Sequence, residues 1–208
     1  MEPLRVDSAF ASRLPEAQAR IIAVSEDSIF VLDEELAIRA CNAAYLRFGE
    51  TNGCTGIESR FGLGCRLTQV LPHAVCDIYL PIYLKALESG ARVDHDYECS
   101  SPQVFRRYHQ TVYPLRERRG LIVSNHLVYE VPHSWKASAK KPGHFDADGW
   151  LSQCACCRKV KDRSRPENWD WVPAFVESPH PRTTHTYCLT CLDFYYGHLL
   201  DDCVPRVF

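Results

Sequence analysis

The chain has 208 residues, a formal net charge of −2, a charged fraction of 24% and a hydrophobic fraction of 46%. That is the profile of an ordinary globular protein with room for one full domain and a small appendage. The slight acidity argues against a main role in coating nucleic acid or an anionic membrane. No apolar run approaches the roughly 18 residues of a membrane-spanning helix. Met1 to Asp7 lacks the basic-then-apolar pattern of an export signal, so a cytoplasmic location without membrane attachment is expected. The eleven cysteines are odd in number, which in a long chain without such a signal favours reduced thiols over a disulfide framework.

In chain order, Phe10 to Val24 reads as a helix with Pro15 in its first turn, where a missing N–H is harmless. Leu14, Ala17, Ile21 and Ile22 give it an apolar stripe, which is expected to dock on the domain rather than on a second copy of the chain. Ser28 to Leu32 and Ala37 to Cys41 are strand candidates joined by a short acidic loop. Asn42 suits the N-cap of a helix from Ala43 to Phe48 that stops at Gly49. Residues 49 to 64 hold five glycines (49, 53, 56, 62 and 64) and read as a loop.

Ala74 to Ser89 has apolar residues at helical spacing and Gly90 as a stop, with a kink or a start near Pro81. Three longer strands follow. Val93 to Cys99 alternates strictly, with Val93, His95, Tyr97 and Cys99 on one face. Val104 to Tyr113 and Gly120 to Tyr129 flank a charged turn. Two strands, helices, then three strands with short connections predict an α+β domain, a five-stranded antiparallel sheet with helices on one face. Residues 134 to 148 lose periodicity and gain Lys, Ser, Pro and Gly, which predicts a linker.

The sharpest chemical pattern lies beyond it. Cys154-Ala-Cys-Cys157 and Cys188-Leu-Thr-Cys191 are two CxxC pairs separated by thirty residues. Each pair can present two thiolates on one tight turn, and two such turns make a tetrahedral site suited to zinc. Cys154, Cys157, Cys188 and Cys191 are therefore the candidate metal ligands. Cys156 is the runner-up for Cys157, and His185 is a candidate to hold the site through a hydrogen bond. A module of about fifty residues is too small to bury a sufficient apolar core unaided, which gives the metal a structural task. Trp169, Trp171, Phe175, Phe194, Tyr195 and Tyr196 are expected to pack around it. The cations Arg158, Lys159, Lys161, Arg163 and Arg165 are favoured beside a negatively charged metal–thiolate group. The alternative is a phosphate-contacting edge on a nucleic-acid-binding regulator.

The order of elements in the first part resembles a PAS domain. Asn42-Ala-Ala-Tyr45, Tyr97 to Pro102, Arg107 to Leu115 and Gly120 to His126 are similar to a bacterial PAS subfamily of sensory and response-regulator proteins. The tail resembles the small cysteine module that often ends such proteins, with its CxxC, basic stretch, Trp171-Val-Pro173 and His-x-x-Cys-x-x-Cys. The resulting division is an N-terminal helix (1–24), a PAS-like domain (25–131), a linker (132–148) and a zinc module (149–208). The resemblance implies a regulatory sensor that pairs as a homodimer, without fixing a small ligand or a protein partner.

A PAS pocket would draw on His95, Tyr97, Tyr108 and Gln110. His95 is the candidate for haem ligation, against the commoner fate of a core histidine. Gly62 to Gln69 is similar to the flavin-adduct string of LOV photoreceptors, with Cys65 as the reactive position, but Gly64 and Tyr108 stand where such a site needs amide side chains. GxSxG, HExxH, Walker and GxGxxG patterns are all missing from the sequence, so no enzyme activity is expected.

Overall fold

The computed structural model describes residues 4–51 and 56–200, so Gly53, Cys54 and Cys203 lie outside the described residues. A six-stranded sheet has the order β1-β3-β2-β6-β5-β4, where β1 is Arg5–Val6, β2 Ser28–Leu32, β3 Ile38–Cys41, β4 Val93–Glu98, β5 Val104–Pro114 and β6 Leu121–Pro132. The pairs β1–β3, β2–β3 and β2–β6 are antiparallel. Five of these strands match the expected set. The sixth, β1, has only two residues, too few for an alternating pattern to be read.

The register divides the first core between the sheet's two faces. Phe30 pairs with Cys41 and Val31 with Ala40, so the pleat sends successive residues to opposite sides. Phe30 and Cys41 pack with Tyr45, Leu46, Ile57 and Phe61, which belong to α2 (Ala43–Thr51) and α3 (Ile57–Phe61). Ile29, Val31, Ala40 and Ile122 face Phe10, Leu14 and Ile22 of the amino-terminal segment. Leu14 and Ile22 of the expected stripe thus dock on the chain's own sheet, on the face that α2 and α3 leave open, whereas Ala17 and Ile21 stay exposed.

The predicted helix from Phe10 is interrupted. A single 3-10 turn (Ala11–Arg13) ends at Leu14, whose φ of −101° and ψ of 108° are extended. Pro15 then caps α1 (Glu16–Val24) from outside it. A proline ring disfavours helical geometry at the residue before it, so the helix starts after Pro15 rather than around it.

Asn42 is fully buried and acts as the predicted cap. Its side-chain oxygen accepts the Tyr45 N–H at 2.9 Å and the Ile29 N–H at 3.1 Å. Its amide donates to the carbonyls of Ile22, Ser25 and Asp27. One side chain thereby fastens the end of α1, the start of β2 and the start of α2. Gly120 has φ of 143°, and a Cβ there would lie 2.3 Å from the Leu32 carbonyl oxygen, so the β5–β6 turn needs glycine at this point.

The expected glycine loop contains α3 and is followed by α4 (Leu67–Val70). Helix α5 (His73–Ser89) carries Pro81 within it and ends at Gly90, where φ is 69°.

A second sheet has the order β10-β7-β8-β9, with β7 at Leu151–Cys154, β8 at Val160–Lys161, β9 at Trp169–Asp170 and β10 at Thr183–Thr186. Strand β10 runs parallel to β7, and β8 is antiparallel to both β7 and β9. Leu151, Val160, Val172 and Phe175 form the small apolar cluster beneath it. Phe175 lies on α6 (Pro173–Glu177).

The chain divides into two units, residues 1–71, 79–95 and 109–126 in one and residues 72–78, 96–108 and 127–208 in the other. This differs from the contiguous division expected from the sequence, because strands β4, β5 and β6 each supply residues to both units. The stretch read as a linker belongs to the second unit. A 3-10 turn at Pro142–His144 is held there, with Lys141 bonded to Asp162 at 2.9 Å and to Asp170 at 2.6 Å. The buried His144 ring accepts the Lys141 N–H on Nδ1, so its Nε2 carries the proton and donates to Asp170 at 3.0 Å. Burying a polar ring is tolerable only with both nitrogens engaged, as here. The partners are twenty or more residues away in sequence, and no local pattern announces them.

Candidate metal centre

Two different local structures bring the CxxC pairs together. The first pair closes the β7–β8 hairpin. The Cys154 N–H bonds to the Lys159 carbonyl at 2.8 Å, and the Arg158 N–H returns to the Cys154 carbonyl at 3.1 Å. Arg158 takes a left-handed φ of 62° to complete the turn, and Gln153 ties its carbonyl with a 3.0 Å hydrogen bond. The second pair is delivered by β10, whose Thr186 lies opposite Cys154. Two residues later Cys188 caps α7 (Leu189–Cys191), with its sulfur accepting the Cys191 N–H at 3.4 Å. Register and cap together place the fourth sulfur.

The four Sγ atoms of Cys154, Cys157, Cys188 and Cys191 all lie within 4.8 Å of one another, and all four residues are buried. Cys157 and Cys188 are 3.9 Å apart. A tetrahedron with zinc–sulfur bonds of about 2.3 Å has edges of about 3.8 Å, so the spacing fits a tetrathiolate ion. It is far too long for a disulfide, which needs about 2.05 Å.

The electrostatics agree. Hydrogen bonding, first from Cys157 and then from Cys188 and Cys191, holds the Cys154 thiol well below its ordinary range. The same proximity to Cys154 pushes Cys157 up. Four thiols in one buried site cannot all ionise without a cation among them. The backbone N–H of Cys188 also donates to Cys154, at 3.4 Å. The four sulfurs together could hold a metal ion.

Beside this cluster stands Glu98, which sequence reasoning passed over. Glu98, Cys156 and Cys191 also bring an oxygen and two sulfurs within 4.8 Å of one another. Cys156 is therefore a neighbour of the four sulfurs, and its thiol donates to the Glu98 carbonyl at 3.7 Å. Burial pushes the Glu98 carboxyl up to about 7, while a 2.6 Å hydrogen bond from the Ser100 hydroxyl works the other way. In β4 the buried residues are His95 and Glu98, a spacing of three rather than two. Burial along the strand does not follow the strict alternation expected there, and Glu98 was hidden by that assumption.

His185 lies on β10 opposite Gln153. It is half-buried, and burial followed by repulsion from Arg158 lowers its pKa. It stands outside the group of four sulfurs. Of the aromatic residues expected around the metal, Tyr195, Tyr196 and Trp171 are buried, and Phe175 belongs to the apolar cluster under the second sheet. Phe194 instead is 65% exposed.

Three cations of the basic run have partners within the second unit. Arg163 donates to the Ser152 hydroxyl at 2.8 Å, Arg165 to Asp162 at 3.1 Å, and the Lys159 ammonium sits 4.1 Å from the centre of the Trp135 ring.

The four residues assigned to a sensory pocket divide between the two units. In the first, His95 is buried with its ring 5.6 Å from that of Tyr79. Gln110 accepts from the Tyr83 hydroxyl at 3.2 Å and donates to Asn125 at 2.8 Å. In the second, Tyr97 and Tyr108 stack at 5.4 Å, and burial raises the Tyr108 hydroxyl to about 12. Cys65 sits in the turn between Gly62 and α4, and its carbonyl accepts the Ile38 N–H at 2.9 Å.

No family model and no curated protein matches the chain. Among solved structures, a domain of a sensory box sensor histidine kinase/response regulator from Geobacter sulfurreducens is similar, with a TM-score of 0.39 and 16% identity over 58% of this chain and 96% of that one. The PAS domain of nitrogen regulation protein NR(II) from Vibrio parahaemolyticus is similar with a TM-score of 0.33 and 20% identity, over 52% of this chain and 95% of that one. Among the described residues, no helix is long and apolar enough to cross a membrane.

Proposed function

We infer that the chain is a non-catalytic signalling protein of the cytoplasm, with a PAS-like part that takes a small ligand or pairs with a second copy, and a zinc-stapled part that docks a protein partner. The observation that carries this reading is the closed group of four buried sulfurs, all within 4.8 Å. Cys154, Cys157, Cys188 and Cys191 would hold the ion and leave it no open position, so the zinc would supply folding free energy rather than an activated water. The PAS-like strings and the order of strands and helices support the sensory half. Signal would pass as a shift in a pairing or docking equilibrium once a ligand favours one state.

The test is metal analysis combined with sedimentation and native mass spectrometry of the full chain. One zinc per chain, together with a dimer or a co-purified small molecule, is the expected result. A zinc-free, folded monomer carrying nothing would refute the reading.

A further inference from the structure

Alongside the four-cysteine cluster lies a cleft of about 290 Å³ in the second unit. We propose that this cleft receives a cationic side chain, a guanidinium or an alkylammonium, presented by a partner polypeptide. Its walls are aromatic: Trp135, Trp169, Phe194 and Tyr195. Aromatic faces carry negative charge density and attract cations within about 6 Å of the ring centre. Two cations of this chain already use them. The Lys159 ammonium lies 4.1 Å from the Trp135 centroid, and the Arg107 guanidinium lies 6.0 Å from that of Phe194.

Part of the remaining lining is of opposite charge. Glu167 contributes an exposed carboxylate, Glu98 a buried carboxyl group, and Cys157, Cys188 and Cys191 three of the four sulfurs. A divalent ion with four thiolates keeps a net negative charge, so the inference draws part of its field from the metal reading above. Lys159 is the one basic side chain in the lining.

Phe194 owes its position to a π-helical turn, Leu192–Tyr196, that follows the last ligand. Such turns are rare and recur at functional sites. The turn buries Tyr195 and Tyr196 and holds the Phe194 ring out at 65% exposure. The volume selects among occupants as well. It sits at the lower bound of the roughly 300–1,000 Å³ typical of small-molecule sites, which suits one anchored side chain better than a flavin or a haem. A single charged or aromatic anchor in a well-walled pocket is how many protein interfaces concentrate their affinity.

Trp135 and Trp169 report occupancy directly. The full-length chain is titrated with N-acetyl-arginine methylamide while tryptophan emission is followed, with N-acetyl-aspartate methylamide as the acidic control. A saturable change with the arginine probe alone is expected, weakened at least fivefold in Phe194→Ala and in Glu167→Gln. Both positions are exposed, so these variants should fold and keep the parent's zinc content. No saturable change, an equal response to the aspartate probe, or variants that bind as well as the parent would overturn the proposal. Zinc is measured on the same samples. One ion without arginine binding removes the cleft and leaves the metal site standing, whereas arginine binding without an ion does the reverse.

Discussion

Replacing Cys188 with Ala perturbs the proposed metal centre where two of its supports meet. The Cys188 sulfur lies 3.9 Å from Cys157 and accepts the Cys191 N–H at 3.4 Å, so the change removes a ligand and the cap of α7 together. Structural zinc supplies about 10–16 kcal/mol of apparent free energy in small modules. Shared evenly among four thiolates, one ligand accounts for about 2.5–4 kcal/mol, or two to three orders of magnitude in affinity. Loss of the cap adds about 1 kcal/mol of helix stability. Competition against a chromophoric chelator measures the affinity of parent and variant directly. The internal control is Cys156→Ala, which lies between two ligands in sequence yet outside the group of four, and should change zinc affinity less than threefold. If Cys188→Ala kept parental affinity, or if Cys156→Ala lost as much, the ligand assignment would be wrong. X-ray absorption on the parent should find four sulfurs at about 2.3 Å; nitrogen in that shell would bring His185 in as a ligand.

Two further predictions concern the first unit. Asn42→Ala removes the side-chain partner of two N–H groups and of the Ser25 and Asp27 carbonyls, while the Ile22 carbonyl keeps the Ser25 N–H at 3.3 Å. With buried unsatisfied groups costing about 1–3 kcal/mol each, a loss of about 3 kcal/mol or more is expected in urea unfolding, and a loss below 1 kcal/mol would refute the hub role. Asp7 accepts the Ala9 N–H at 2.9 Å and bonds to Arg39 at 2.8 Å, and these contacts hold its carboxyl below the usual value of 3.8. A depressed carboxylate stabilises above its unfolded pKa and loses that contribution as pH falls through the folded one. The gap in Tm between the parent and Asp7→Asn should therefore be constant above pH of about 5 and shrink below pH of about 4. A gap independent of pH would show that the charge plays no part.

What could be read in advance divides along physical lines. Strands β2 and β3, the Asn42 cap and the CxxC turns depend on residues close in sequence, and their patterns survive folding unchanged. The broken amino-terminal helix was also local: Leu14 precedes a proline, and the steric rule at that position outweighs the apolar stripe. The stretch at 132–148 was illegible for the opposite reason. Lys141 and His144 find Asp162 and Asp170 across twenty-one and twenty-six residues, and only the folded hairpin makes them neighbours. Glu98 was missed because a strand was assumed to keep one buried face. Phe194 was placed in the core because aromatic residues usually go there, while the π-helical turn that exposes it has no sequence signature of its own.

The thirty residues between the CxxC pairs make a longer connection than the fifteen to twenty typical of such sites, yet the sulfurs meet without strain on their spacing. Closure entropy grows only with the logarithm of length, so doubling a loop from about 15 to about 30 residues costs about 0.6 kcal/mol. The parallel pairing of β10 with β7 sets where the far end returns, whatever lies in between. Within that span Asp162, Asp170, Val172 and Phe175 are committed to the contacts described above, so changes of length fall to exposed stretches such as residues 177–179, where novelty can accumulate while the anchor points stay put.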